Sequence, residues 1–184
     1  MSSSAGIIII GDEILSGRTK DTNINWIANE LNQMGSHLKE ARVIEDDKKT
    51  IINTVLEFSK KFTYVFTSGG IGPTHDDITT ESIATAFKVD LEKNKIAMSL
   101  LKKHYDKSNI DFNEARQKMA IIPKGASLID NPVSVAPGFN IKNVYVFAGI
   151  PKIMQSMFHS ISSKLKGGII IKSKTITCDI GEGK

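Results

Sequence analysis

The residues with the clearest chemical potential form one glycine-rich segment, Ser68-Gly69-Gly70-Ile71-Gly72-Pro73-Thr74-His75-Asp76-Asp77. The apolar run at 63–67 before it is typical of a buried strand, and the apolar spacing after it predicts a helix over 78–87. Glycines let a backbone approach a ligand closely, and the amino end of a helix carries a partial positive charge. The segment therefore predicts a phosphate-binding loop. It has neither the Gly-Lys-Ser/Thr ending nor the G-x-G-x-x-G spacing of the two common loops.

Two aspartates, Asp76 and Asp77, end this segment, and two interpretations of them are open. Asp77 is well placed to cap the amino end of the helix that follows. A carboxylate facing a phosphate directly would repel it. The pair therefore also suggests a divalent cation that bridges the carboxylates to the phosphate, or a role in proton transfer.

The composition is that of an ordinary globular chain, with 184 residues, 40% hydrophobic and 24% charged. The net charge is +4, but the lysines are scattered without interleaved aromatic residues, which predicts no nucleic-acid partner. A single cysteine, Cys178, excludes an internal disulfide framework and fits a reducing compartment. With no pattern of a signal peptide or membrane span, the sequence predicts a cytoplasmic protein without a membrane partner.

Strand-like and helix-like patterns alternate along the chain, which predicts an α/β sandwich with a mostly parallel sheet. Strands are predicted at 6–10, 36–44, 63–67, 127–130 and 144–148; helices are predicted from Asp21 or Thr22, from Asp47, over 78–87, 91–105 and 111–119, and from Pro151. The loops that follow 10, 44, 67 and 148 lie at the carboxyl ends of strands and converge on one crevice. Asp46 stands in such a loop, either as a solvated turn residue or as a functional one.

Two features lie outside this pattern. Trp26 falls off the apolar stripe of its helix, so either a neighbouring element or a subunit contact packs against it. The strand-like run at 169–180, which contains Cys178, stops without a terminal element, and we expect the sequence to continue beyond it.

Four motifs in this order resemble the CinA-type branch of the MoaB/Mog domain family. They are Gly11-Asp12-Glu13-Ile14-Leu15-x-Gly17 with Asp21-Thr22-Asn23, the glycine-rich segment with Ile78-Thr79, Asn131-Pro132-x-x-x-Ala136-Pro137-Gly138-Phe139, and Gly149-Ile150-Pro151-x-x-Met154. The resemblance runs from Ile7 to about Phe158. The same domain is also similar to the N-terminal region of eukaryotic FAD synthases.

The resemblance implies a three-layer α/β/α sandwich over 5–166, with 167–184 as the start of a truncated C-terminal extension. It implies a molybdopterin-binding-like domain whose partner is a small phosphorylated pterin or dinucleotide. The residues it assigns to the ligand are Gly11, Glu13, Ser68, Gly69, Gly70, Gly72, Pro73, Thr74, Pro137 and Gly138. A homo-oligomer is the habit of the family.

The resemblance also bears on activity. Two aspartates that matter in Mog-type enzymes match Asp46 and Asp77, which are therefore expected to be catalytic. Asp76 and Asp77 are expected to hold Mg²⁺, Mn²⁺ or Co²⁺, because CinA-type members are associated with metal-dependent pyrophosphatase activity on ADP-ribose or FAD. One departure is Ile153, where many CinA-type sequences have a glutamate.

Three functional hypotheses are therefore in competition. The chain binds a phosphorylated ligand and hydrolyses it, binds it without chemistry, or serves mainly in oligomerisation. Nothing in it supports the nicotinamide mononucleotide deamidase activity of long CinA proteins.

Overall fold

The computed structural model describes residues 3–168, where a six-stranded sheet lies between two layers of helices. The elements are β1 (Ser4–Ile10), α1 (Asp12–Leu15), α2 (Asn23–Gln33), β2 (His37–Ile44), α3 (Lys48–Lys61), β3 (Tyr64–Ser68), α4 (Thr79–Phe87), β4 (Leu91–Lys93), α5 (Lys95–Ser108), α6 (Glu114–Lys118), β5 (Ile121–Pro123), β6 (Ser127–Ile129), β7 (Gly138–Ile141), β8 (Val144–Phe147) and α7 (Pro151–Ser162). The expectations for 169–180 and Cys178 lie outside the described residues.

The sheet has the order β2-β1-β3-β8-β7-β6. The strands β2, β1, β3 and β8 are parallel, while β7 and β6 pair antiparallel at one edge. A parallel strand covered on both faces reads as a continuous apolar run, which explains the four isoleucines that end β1. The predicted three-layer sandwich with a mostly parallel sheet is confirmed.

Each face of the sheet carries its own apolar core. Helices α3 and α4 pack on one face through residues such as Phe58 and Ile83, and helices α2 and α7 pack on the other. Trp26 of α2 meets α7 edge-on, with ring centroids 5.5 Å from Phe158 and 5.2 Å from His159. Of the two alternatives for Trp26, packing by a neighbouring element is therefore the one observed.

A small unit is inserted between α4 and β6. It consists of the two-stranded sheet β4–β5 and the helices α5 and α6, which pack around Ala97, Leu101 and Ala120. The helix predicted over 91–105 is wrong at its start, because 91–93 pairs with β5 and the Asn94 side chain then caps α5. The helix predicted over 111–119 is shorter than expected, since the Asn113 side chain caps it just before Glu114.

Two segments predicted as loops contain regular structure. The loop after β1 forms the single turn α1, and the turn-rich segment at 131–139 ends in β7, which begins at Gly138. Within residues 3–168, no helix combines the length and apolar character needed to cross a membrane.

The turn between β7 and β8 fastens α3 to the sheet through one side chain. Asn143 Nδ2 donates hydrogen bonds to the carbonyl oxygens of Ser59 (3.0 Å) and Phe62 (2.9 Å) at the end of α3. Its Oδ1 accepts one from Ser59 Oγ at 2.7 Å. These bonds satisfy carbonyls at the end of α3, just before β3 leads to the glycine-rich segment.

We expect Asn143→Ala to lower the free energy of unfolding by about 2 kcal/mol, because it leaves partly buried polar groups without partners. Urea unfolding followed by circular dichroism measures the change. Asn53→Ala, on the exposed side of α3, is the control and should stay within about 0.5 kcal/mol of wild type. Equal effects of the two substitutions would contradict this role of Asn143.

Candidate functional site

A cleft of about 680 Å³ opens at the carboxyl ends of the central strands. Its lining includes Ile10 at the end of β1, Asp46 after β2, Gly69 to Pro73 after β3, and Gly149 after β8. These strands are neighbours in the sheet, and the chain crosses over β1 on the way from β2 to β3. Ligands of open α/β sheets bind at this kind of topological switch point. The crevice predicted from the strand ends is present.

The backbone of the glycine-rich segment follows a path that side chains would block. Gly69 and Gly70 have φ values of +116° and +68°, in the region that favours glycine. A Cβ on Gly69 would lie 2.1 Å from the carbonyl oxygen of Ile10, and one on Gly70 would lie 2.1 Å from Thr79 Oγ1. Both positions therefore require glycine.

Asp77 fixes the shape of the loop instead of capping the helix. Its Oδ2 accepts hydrogen bonds from the Thr74 backbone N–H at 2.8 Å and from Thr74 Oγ1 at 2.5 Å. Helix α4 begins at Thr79, and its N-cap residue Ile78 provides no side-chain hydrogen bond. The interpretation of Asp77 as the helix cap is therefore wrong: its carboxylate turns back towards Thr74.

Asp46 is held against the loop that follows β1. Its Oδ2 accepts a hydrogen bond from the Asp12 N–H at 3.0 Å, and Asp12 Oδ1 accepts one from the Asp46 N–H at 3.3 Å. Burial raises the pKa of the Asp46 carboxyl, and the negative charges of Asp12, Glu13 and Asp76 raise it further. The cleft thus has an acidic side, where the negative charges would stabilise a bound cation.

Asp76 has the opposite electrostatic environment. The nearby Thr74 hydroxyl and the backbone N–H of Asp76 itself lower the pKa of its carboxyl. Asp76 is exposed at the mouth of the cleft, whereas Asp46 is half-buried. The two aspartates therefore differ in their affinity for a proton.

A lysine of the inserted unit holds the loop from the other side. Lys118, the last residue of α6, donates from Nζ to the carbonyl oxygens of Thr74 (2.7 Å) and Asp77 (2.9 Å). Its charge lies next to the carboxylates of the loop, and it contributes to the low pKa of Asp76. The inserted unit is thereby attached to the glycine-rich segment.

Another part of the cleft lining, called here the apolar wall, consists mainly of apolar side chains. The inserted unit contributes Tyr105 and Met119, and the start of α7 contributes Ile150 and Ile153. Ile153, in the first turn of α7, is 9% exposed and packs in the core between this helix and the sheet. The position at which the resemblance implies a glutamate therefore carries a buried apolar side chain in this chain.

Most of the expected site residues lie together. The cleft is lined by Glu13, Asp46, Gly69, Gly70, Gly72, Pro73, Asp76 and Asp77. Ser68 lines a smaller adjoining pocket. Outside the lining are Gly11, Thr74, Pro137 and Gly138.

Physical reasons account for these four placements. Gly11 is buried and donates its N–H to the Ile44 carbonyl oxygen, while Thr74 is occupied by Asp77. Pro137 is buried, and Gly138 allows β7 to approach β8, since a Cβ there would lie 2.3 Å from the Val146 carbonyl oxygen. In the loop before β7, Asn131, Ser134 and Ala136 reach the cleft instead.

Sequence reasoning missed several lining residues. Tyr105 and Met119 belong to apolar helical patterns that predict only a local core, and the insertion of their unit over the cleft has no local signature. For Asn131 the sequence did give an indication, because the pair Asn131-Pro132 is typical of a turn. Its side chain bonds Ser134, Val133 and the Ala136 carbonyl oxygen, so it shapes this loop.

In the part of the chain that the structure describes, no three His, Cys, Asp or Glu side chains are grouped to hold a metal ion. Mg²⁺ is commonly bound by one or two carboxylates together with phosphate oxygens of the substrate and water. The acidic side of the cleft fits a site in which carboxylates share the ion with a substrate and water. It does not fit a metal centre built from protein ligands alone.

Comparisons with known proteins agree with this fold. Residues 6–166 match the family model described as a probable molybdopterin binding domain. A protein of Sulfurisphaera tokodaii is 38% identical over 165 residues, which cover 87% of this chain and 63% of the relative. The chain thus spans about 63% of the length of the curated relatives it matches first.

Two solved structures show the likeness in three dimensions. The crystal structure of CinA from Thermoplasma acidophilum, a protein described as of unknown function, is similar with a TM-score of 0.81 and 34% identity, over 89% of this chain and 98% of that one. The molybdopterin biosynthesis enzyme MoaB of Thermus thermophilus has a TM-score of 0.60 and 15% identity, over 89% and 91% of the two chains. At that identity the second match shows the fold alone.

We expect Asp46→Asn to raise the thermal stability of the protein at pH 7. A raised pKa in the folded state means that the free energy of unfolding falls as pH rises from the ordinary aspartate value, about 3.9, through the folded value. The amide removes this charge and can still accept the Asp12 N–H. The gain should shrink towards pH 3, where the carboxyl is protonated in both states.

The adjacent Asp47 provides a control of opposite sign. Its carboxylate caps α3 by accepting the Thr50 N–H at 2.8 Å, which lowers the pKa of Asp47. Asp47→Ala should therefore destabilise at pH 7, and less so as pH falls below the ordinary value. Thermal melts of both variants at pH 3 and pH 7 test the pair. A lower melting temperature for Asp46→Asn at pH 7 would contradict the electrostatic account.

Proposed function

The chain belongs to the family of probable molybdopterin binding domains, in its CinA-type branch, and from this premise we propose that its cleft binds a phosphorylated pterin or a dinucleotide. The observation that carries the proposal is the meeting of three chemically different surfaces in one cleft. A glycine-rich backbone, a group of carboxylates and an apolar wall face the same space. This combination suits a ligand that has a phosphate at one end and a flat ring at the other.

The phosphate is assigned to the glycine-rich segment. The residues from Gly69 to Pro73 line the cleft, so the main chain of this segment is within reach of a phosphate oxygen there. Helix α4 begins at Thr79, whose N–H donates to the Gly70 carbonyl oxygen at 3.0 Å, and the amino end of this helix adds a partial positive charge. The apolar wall with Tyr105 and Met119 is suited to a pterin or an adenine ring.

The carboxylates require a cation beside that phosphate. We propose that Asp76 and Asp77 hold Mg²⁺, Mn²⁺ or Co²⁺ together with the ligand's phosphate oxygens, while Asp46 borders the same acidic part of the cleft. When bound, the ion neutralises the phosphate charge that these side chains would otherwise repel. Asp77 has one oxygen engaged by Thr74, which leaves Oδ1 for this role.

A second candidate function is hydrolysis of the pyrophosphate bond of ADP-ribose or FAD. The observation that favours it is the raised pKa of Asp46, because a half-buried carboxylate with increased proton affinity is suited to act as a general base. In this reaction a water oxygen attacks one phosphorus, the bond between that phosphorus and the bridging oxygen breaks, and Asp46 takes the proton of the water.

Binding is tested by replacing one glycine of the loop. We expect Gly70→Ala to weaken the binding of ADP-ribose in the presence of Mg²⁺ by more than tenfold, measured by isothermal titration calorimetry. The new Cβ would displace the loop from Thr79. Gly125→Ala is a matched control, since Gly125 also has a positive φ, +80°, and nothing lies within 4 Å of its added Cβ. Equal affinities of the two variants would contradict the assignment of the phosphate.

Hydrolysis is tested by the release of AMP from ADP-ribose and FAD with Mg²⁺, Mn²⁺ or Co²⁺. If the chain is a pyrophosphatase, Asp46→Asn should reduce turnover by roughly a hundredfold or more through loss of the base, while the protein remains folded. Asp77→Asn should weaken both turnover and metal dependence. Tight ligand binding without AMP release by the wild type would identify a binding module instead and exclude the second candidate.

A further inference from the structure

One buried side chain beside the cleft has no part in the site described so far. Asn23, from the Asp21-Thr22-Asn23 triplet, is the first residue of α2 and is only 4% exposed. It lies against Ser68 at the end of β3 and against Gly149 after β8. It therefore lies at the carboxyl ends of β3 and β8, next to the cleft.

The orientation of the Asn23 amide follows from its partners. Nδ2 donates to the Gly149 carbonyl oxygen at 2.8 Å and to Ser68 Oγ at 2.9 Å. The carbonyl can only accept, so the nitrogen must lie on this side of the amide. Ser68 Oγ in turn donates its hydrogen to the Ala148 carbonyl oxygen at 3.2 Å. Both hydrogens of Nδ2 are thus used.

The other end of the amide is left without a donor. Within residues 3–168, Asn23 Oδ1 is buried and accepts no hydrogen bond. Buried acceptors of this kind are uncommon, because burying one without a donor costs folding free energy. A donor from outside the described chain would satisfy it.

A small pocket lies next to Asn23, and because Oδ1 itself has almost no exposed surface, a donor in this pocket reaches it through a small shift of the side chain or its neighbours. The pocket, of about 60 Å³, is lined by Asn23 and Ser68, and it shares Ile10, Glu13, Thr19 and Gly149 with the large cleft. This space is suited to one polar group of a ligand that occupies the cleft. Glu13, which borders both spaces, offers further acceptor oxygens.

We propose that Asn23 Oδ1 accepts a hydrogen bond from an uncharged donor of the ligand, a sugar hydroxyl or a ring N–H, and so selects ligands that carry one. This rests on the proposed function, because the donor belongs to the molecule whose phosphate lies on the glycine-rich segment. Ser68 and Gly149 position the amide, and Asn23 Oδ1 contacts the ligand. A site that binds hydrogen-bonding groups rejects analogues that lack them, since its own polar atom is then left unpaired.

Calorimetric titrations with Mg²⁺ present test the proposal on wild type, Asn23→Ala and Asn25→Ala. The last is a control on the exposed side of the same helix. The probes are AMP, 2′-deoxy-AMP, 3′-deoxy-AMP, 6-hydroxymethylpterin diphosphate and inorganic pyrophosphate. We expect Asn23→Ala to lower the affinity for a probe that carries the donor by roughly tenfold. Pyrophosphate should bind both variants as it binds wild type, and Asn25→Ala should match wild type throughout.

The probes distinguish the two sources of the donor. If Asn23 Oδ1 accepts from a sugar hydroxyl, one deoxy analogue should bind the wild type more weakly than AMP does. On Asn23→Ala, that analogue and AMP should have equal affinities. If a ring N–H is read, the pterin should lose affinity in Asn23→Ala and the three nucleotides should not. Either pattern supports the proposal.

Three outcomes would overturn it, and they separate its failure from that of the proposed function. A loss that is equal for all probes, pyrophosphate included, would make Asn23 purely structural. No loss for any probe would mean that a water molecule satisfies Oδ1. If no probe binds wild type, the proposed function fails and this inference falls with it.

A measurement on the wild type covers the case in which Asn23→Ala does not fold. The Asn23 side-chain amide signals in a ¹H–¹⁵N spectrum should move when the donor-bearing probe is added and stay in place with pyrophosphate. Signals that move equally with both probes, or with neither, would also overturn the proposal.

Discussion

The close approach of three strand ends is the constraint on which the site depends. The Gly69 N–H donates to the Phe147 carbonyl oxygen at 3.1 Å, joining the end of β3 to the end of β8. A Cβ on Gly69 would collide with the Ile10 carbonyl oxygen, and one on Gly149 would lie 3.4 Å from Gly69 Cα. Backbone therefore packs on backbone where β1, β3 and β8 end. Because no side chain fills this junction, main-chain groups face the cleft, and the functional side chains are displaced to its rim.

That arrangement explains how the cleft tolerates so many carboxylates. Each acidic residue is tied to a different part of the frame: Asp46 to the loop after β1, Asp77 to Thr74, and the loop as a whole to Lys118 of the inserted unit. These hydrogen bonds hold the carboxylates in the cleft, where burial raises the pKa of Asp46 and the neighbouring negative charges raise it further. Charge that is unfavourable for folding and concentrated at one place is typical of a functional site, since it is relieved only when a cation or a proton is bound.

The frame was predictable from the sequence because its signals are local. Continuous apolar runs predicted the strands β1, β3 and β8, helical spacing predicted α2, α3, α4 and α7, and the turn glycines marked the glycine-rich loop. Contacts between distant segments were not predictable in this way. The strand β4 is too short and too exposed to differ from a helix start, and Asp77 satisfies Thr74 where local reasoning had assigned it to the helix. Tyr105 reaches the cleft only because its whole unit folds over it, and Asn23 attracts notice only once its orphaned oxygen is located.

The division of the cleft also indicates which parts of it can determine the ligand. The glycine-rich segment offers main-chain groups, and in the proposed function these contact a phosphate regardless of what the phosphate carries. Discrimination must then come from side chains, and these are supplied by elements outside the central strands: α2 with Asn23, the inserted unit with Tyr105 and Met119, and the start of α7 with Ile150. A fold of this type can therefore keep its phosphate loop while changing its ligand through substitutions on three peripheral elements. This separation is the physical reason why a likeness of fold alone, as with the Thermus thermophilus enzyme at 15% identity, does not transfer a substrate to this chain.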